Sequence, residues 1–277
     1  MKPAGVRGRP VLRSFLTTIT WFFGLAFFFP VFWITLISFR AEKDAGTFPP
    51  TLLAPFTMEN WGSIFQKGAA QYLINSVIAS VLSTIVVLLM AYPAAFALSI
   101  KPIHRNKDVL SFFLSTKFLP PIAALLPLYL IFKNLHLLDN IWALSALYVT
   151  MNLPLSVWML RSFLKEIPAE LVEAAELDGA SIPKILFRVL APISLPGISA
   201  TALISFIFTW NEFLMAINLT GFHAATGPVY LVSFITAEGL FFAHLAAVSI
   251  VVSLPVVIAG WVAQDKLVRG LALGAVK

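Results

Sequence analysis

Two groups of residues in this 277-residue chain have types and spacings suited to chemistry. The first is a run of carboxylates: Glu166, Glu170, Glu173, Glu176 and Asp178 crowd into one short stretch of a chain with only 13 acidic residues. At helical spacing Glu170, Glu173 and Glu176 share a face, which suits docking to a basic surface. The second is Trp210-Asn211-Glu212, a ring beside an amide and a carboxylate. Sugars stack their C–H faces on aromatic rings and satisfy their hydroxyls with such donors and acceptors. These three, with Asn152 near Pro154, are therefore candidate solute contacts. Each also has a structural reading: Trp210 as an interfacial anchor, Glu212 as the outer end of a helix, Asn152 as an interhelical hydrogen bonder. Asn75 and Lys117 read as structural, Lys117 pairing or snorkelling. There is no cysteine, and no helix carries His and carboxylates at metal-ligand spacing. His244 reads as a packing residue.

The elements that position these groups follow from hydropathy. The chain is 59% hydrophobic and 12% charged, with mean hydropathy +0.90, whereas soluble domains carry about 25% charged residues. Six windows free of acidic and basic residues stand out: Ser14–Phe39, Gly68–Ile100, Phe118–Phe132 (reaching back to Val109 if Lys117 is tolerated), Asn140–Leu160, Val189–Asn211 and, with one exception near its start, Gly239–Gln264. Each is near the length of a spanning helix, about 20 residues. The first is too long for a signal-peptide core, so it reads as a retained helix. Phe213–Ala237 is broken by Gly221, His223, Gly227 and Pro228 and reads as an external or re-entrant segment. The expected fold is all-α, a polytopic membrane protein with six transmembrane helices.

Basic residues orient it. One side carries Lys2, Arg7, Arg9, Arg13, Lys101, Arg105, Lys107, Arg161, Lys165, Lys184, Arg188, Lys266, Arg269 and Lys277; the other carries Arg40, Lys43, Lys67 and Lys133. The richer side is cytoplasmic, so both termini are expected inside. The net charge of +6 thus reflects membrane orientation rather than nucleic-acid binding. Residues 1–70 are expected to hold the cytoplasmic N-terminus, first helix and external loop; 71–264 a five-helix domain with a cytoplasmic loop near 161–196; and 265–277 a cytoplasmic tail.

That loop predicts two short helices around a corner. Pro168 opens the first, and Gly179 closes it as a left-handed cap. Ser181 is the expected N-cap of the second, which runs to about Leu190. Leu171, Ala174, Ala175 and Asp178 share a face, and the small alanines allow close approach of another surface. An interfacial helix on lipid is the alternative, but anionic headgroups repel its acidic face.

Glu173-Ala174-Ala175, three residues, Gly179, nine residues and Val189-Leu190-Ala191-Pro192 resemble the EAA loop of type I ATP-binding-cassette (ABC) importer permeases. That pattern ends in I-x-L-P, so Val189 and Ala191 depart from it conservatively. Asn75-Ser76, Pro127-Leu128-Tyr129, Asp178-Gly179-Ala180-Ser181, Trp210-Asn211-Glu212-Phe213 and Leu267-Val268-Arg269-Gly270-Leu271 near Gly274-Ala275-Val276 are similar to the carbohydrate branch, particularly the subunit that partners the maltose-type permease. The resemblance covers roughly 71–277. It implies a heterodimer with a second permease, two ATPase subunits, an external solute-binding protein, the bacterial inner membrane, and a coupling role for Glu173, Ala174, Ala175, Asp178, Gly179, Ser181 and Pro192. No G-x-x-x-x-G-K-[ST] phosphate loop occurs, so this chain is expected to be no enzyme by itself and to hold no cofactor, ATP and Mg sitting on the partner ATPases. A secondary carrier would place coupling carboxylates deep in its spans, and an intramembrane enzyme would need paired acid and base groups there. Neither is evident. The particular sugar, polyol or acidic sugar is not legible.

Overall fold

The structure is a computed structural model that describes residues 10–47, 54–66, 68–101, 104–236 and 239–275, with side chains described within 14–47, 54–65, 68–101, 104–236 and 240–264. Lys2, Arg7, Arg9, Lys67 and Lys277 lie outside the described residues, as do the side chains of Arg13, Lys266 and Arg269. The described chain is almost entirely helical. Four helices are long and apolar enough to cross a membrane: Ser14–Ser38 within α1 (Pro10–Ser38), α4 (Ala69–Ser99), α7 (Ile141–Leu164) and Phe242–Gln264 within α14 (Phe242–Ala275).

The third and fifth windows are not the single straight helices the sequence predicts. α5 (Asn106–Phe118) and α6 (Pro121–Asn134) meet at a bend of 92°, and the helical run Ile182–Ile193 meets α11 (Leu195–Trp210) at 84°. Proline explains both. Pro120 and Pro121 have no N–H to give the carbonyls of Thr116 and Lys117, and Pro196 has none for Pro192. If each bent pair is one span, the total reaches six.

The chain divides into two compact units, 68–233 with 252–277, and 1–67 with 234–251. In the larger, α4 and α7 form the main packed pair and α11 lies against both. Small residues let these helices approach: Ala79, Ser80, Ser83, Ala91, Ala95, Ser145 and Ser156 are all buried, as membrane helix interfaces favour. One apolar cluster joins Val87, Phe96, Leu160 and Leu164 to Val172 and Leu190; another joins Ala79, Leu144 and Tyr148 to Met215 and Leu219. A Cβ at Gly197 would run into the Phe163 ring, so glycine is needed where α11 crosses α7.

Among the described residues, the segment between α11 and α14 holds no helix long enough to span. It forms α12 (Leu214–Leu219) and α13 (Gly227–Val232), each too short to cross. Asn75 holds it by donating to the carbonyls of His223 (2.7 Å) and Ala225 (2.9 Å), and Ser76 accepts from the Gly227 N–H (2.8 Å). Asn75 is thus structural, as its sequence context suggests. In the smaller unit Glu42 caps α14, accepting from the N–H groups of Ala243 (3.1 Å) and His244 (3.3 Å) and facing His244 Nδ1 at 2.9 Å. With its ring stacked on Phe234, His244 is a satisfied packing residue. Most aromatic side chains of α1 are bare: Phe27 is 80% and Trp21 68% exposed, a surface suited to lipid and not to water.

Candidate functional site

The acidic run forms α8 (Ala169–Leu177), with Pro168 at its N-cap. Its C-terminus is a Schellman turn. The Ala180 N–H donates to the Ala175 carbonyl at 3.0 Å, the Gly179 N–H donates to the Glu176 carbonyl at 2.9 Å, and Gly179 has φ +72°, the pattern that satisfies otherwise orphaned terminal carbonyls. The corner predicted at Gly179 is therefore present. Ser181 has the extended backbone of an N-cap, but its hydroxyl makes no capping bond; the Ser181 carbonyl instead accepts from Ile185 N–H at 2.9 Å. The second helix is also not regular. α9 (Ile182–Lys184) continues into a π-helical turn, Ile185–Leu190, and α10 (Ala191–Ile193). Pro192 removes the hydrogen bond that the Arg188 carbonyl would accept in an α-helix, and the wider turn ends just before it.

Burial separates anchor from contact surface. Val172 is buried and joins the cluster made by α4 and α7, together with Ile185, Leu186 and Leu190 of the π turn. Ala175 is half-buried against the same cluster, whereas Glu170, Leu171, Glu173, Ala174, Leu177 and Asp178 are exposed. Leu177 is 89% exposed. It lay next to the predicted docking face and was missed there; its place one residue before the cap was the available signal. Lys101, just beyond α4, pairs with Glu176 of α8 at 2.6 Å, and Arg161 Nε ties α7 to α4 by donating to the Leu98 carbonyl at 3.0 Å. The result is a short, fixed helix presenting alanine, leucine and carboxylates outward.

The candidate solute contacts do not form one surface. Trp210 is 2% exposed, donates Nε1–H to the Val252 carbonyl at 2.9 Å and stacks on Phe206. Glu212 accepts from Tyr148 Oη–H (2.9 Å) and from the N–H groups of Met215 (2.9 Å) and Ala216 (3.1 Å), which caps α12. Asn152 is buried and donates to the Tyr148 carbonyl and Thr209 Oγ1, which in turn accepts from Ser83 Oγ–H. In this conformation these three hold helices together. Only Asn211, at the C-cap of α11, presents an exposed side chain, and it donates back to the Ile207 carbonyl at 2.8 Å. Among the described residues there is no cluster of His, Cys, Asp and Glu able to hold a metal.

Residues 68–268 match the family of binding-protein-dependent transport system inner membrane components. A probable ABC transporter permease of Sinorhizobium fredii is 34% identical, with 96% of each chain covered. The trehalose transport permease SugB of Mycobacterium tuberculosis is 32% identical over 90% of this chain and 92% of its own. The trehalose/maltose transport permease MalG of Thermococcus litoralis is also 32% identical, over 90% and 91%. Among solved structures, a bacterial ABC transporter for import of the acidic polysaccharide alginate has a chain with the same fold, TM-score 0.78 at 21% identity, covering 96% of this chain and 99% of that one.

Proposed function

Because this chain belongs to the family of binding-protein-dependent transport system inner membrane components, we propose that it is a membrane subunit of an ABC importer for a sugar or sugar-like solute. Relatives above 30% identity named for trehalose and maltose transport support the solute class. The reading has the chain crossing the bacterial inner membrane six times, each bent pair counting once, with both termini cytoplasmic. It pairs with a second permease and with two ATPase subunits that bind ATP and Mg, and an external binding protein delivers the solute. The chain itself holds no cofactor and catalyses nothing.

One observation carries the coupling role: α8 is seated by buried Val172 and half-buried Ala175 and leaves Glu170, Leu171, Glu173, Ala174 and Leu177 bare. An apolar ridge flanked by charge is suited to a cleft with basic rims. Glu173, Ala174, Ala175, Asp178 and Gly179 form this element, Ser181 starts the next helix, and Pro192 ends the π turn beneath it. When ATPase subunits close on ATP, a helix seated by Val172 and Ala175 on the apolar cluster of α4 and α7 transmits the displacement to the spans. Asn211 remains the candidate solute contact in the fifth span, and Trp210, Glu212 and Asn152 set the wall behind it. The test is copurification from detergent: the affinity-tagged chain should carry an ATP-hydrolysing subunit in stoichiometric amount, and Glu173→Lys should lose most of it. A wild-type chain that retains no ATPase would refute the assignment.

A further inference from the structure

We propose that the elbow between α5 and α6 is a solute subsite that takes the acidic group of a carbohydrate. The inference rests on the importer reading above and names its solute class. Beside the elbow lies a cavity of ≈ 260 Å³ lined by Thr116, Lys117, Leu128, Thr150, Met151 and Met215 among others, near the roughly 300 Å³ at which ligand cavities begin. Lys117 Nζ donates to the Met151 carbonyl. Met151 lies ten residues into α7, so about 15 Å along a helix about 36 Å long, which puts the ammonium near mid-bilayer. An ionisable group at that depth marks a pathway or a ligand site by default.

Two further features give the cavity its chemistry. Pro120 and Pro121 leave the Thr116 and Lys117 carbonyls without the N–H donors that a continuous helix would supply. Non-helical backbone at membrane depth is tolerated only where protein or a water-filled cavity satisfies it. The elbow carbonyls can therefore accept from water or from the hydroxyls of a solute. Thr116 and Thr150 spend their own hydroxyl hydrogens on the carbonyls of Phe113 and Leu147, which leaves their oxygens free to accept. The second feature is charge. No carboxylate lines the cavity; Glu212 is committed to Tyr148 and α12, and one of the three ammonium donors goes to Met151. A neutral sugar would satisfy the acceptors alone. A sugar bearing a carboxylate or sulfonate would satisfy the acceptors and neutralise the cation together.

The experiment uses the purified full complex, with D-galacturonate and D-galactose as an acid and neutral pair, and follows the thermal unfolding midpoint against probe concentration. Galacturonate should raise the midpoint more than galactose. Lys117→Met should raise its half-saturating concentration about tenfold, and Lys117→Arg should largely restore binding. Equal effects of the two sugars, no galacturonate effect in the wild type, or an effect unchanged in Lys117→Met would overturn the proposal. So would stabilisation by added phosphatidylglycerol without any by galacturonate, because the anion would then be a lipid headgroup. ATPase retention on each preparation reports separately on the importer reading, and both Lys117 variants should keep the subunit bound.

Discussion

Trp210 shows how a residue whose type suits a sugar can be spent on packing. Its ring is buried and its N–H bonded, so Trp210→Ala should cost about 3–5 kcal/mol and lower the yield of folded chain, measured by detergent size-exclusion. Asn211→Ala should leave the yield unchanged and lower uptake. The sequence supplied the polar cluster but not its partners, because Tyr148 and Val252 are 64 and 42 positions from Glu212 and Trp210. Asp139, which sequence reasoning overlooked, is a second residue-scale device. Burial alone would raise its carboxyl pKa, but the N–H groups of His223, Gly221 and Ala224 and the His223 side chain hold it down at about 2. A carboxylate with a depressed pKa contributes stability that is present above its ordinary pKa near 3.8 and fades as pH falls through about 2. Asp139→Ala should accordingly speed hydrogen exchange of Gly221–Ala224 at pH 7, after correction for intrinsic rates.

At the scale of elements, α8 was legible because caps are local. Pro168 and Gly179 bound α8 as their backbone chemistry requires. A Cβ at Gly179 would meet nothing within 4 Å, so the cost of substitution there is backbone strain alone. Gly179→Asn, tolerant of the left-handed region, should retain ATPase binding; Gly179→Val should weaken it markedly. Copurification from the two variants, normalised to inserted chain, checks this. The breaks at Pro120 and Ser194 were not anticipated. Hydropathy windows record how long an apolar run is and carry no direction, and prolines are common enough in membrane helices to read as mild kinks. The π turn was equally hidden: Ile185–Leu190 has ordinary helical composition, and its register is set by Pro192 and by burial of Ile185, Leu186 and Leu190 beneath α8.

For the whole molecule, orientation rests on the distribution of Lys and Arg. Reporter fusions after Lys107 and Lys184 should read cytoplasmic, and fusions after Lys43, Asn134 and Thr226 external; a cytoplasmic signal at Thr226 would reverse the placement of the segment that Asn75 and Asp139 hold. The central claim is that α8 couples this chain to an ATPase, and Leu177 offers the sharpest test of it. With 89% of its surface exposed, Leu177 contributes little to the fold of the isolated chain, so Leu177→Asp should insert and fold normally. In proteoliposomes holding the complete complex, binding-protein-stimulated ATP hydrolysis and solute uptake should both fall at least about tenfold, as expected for a hot-spot side chain at a buried interface. Hydrolysis and uptake at wild-type levels in Leu177→Asp and Glu173→Lys alike would show that this helix does not meet the ATPase.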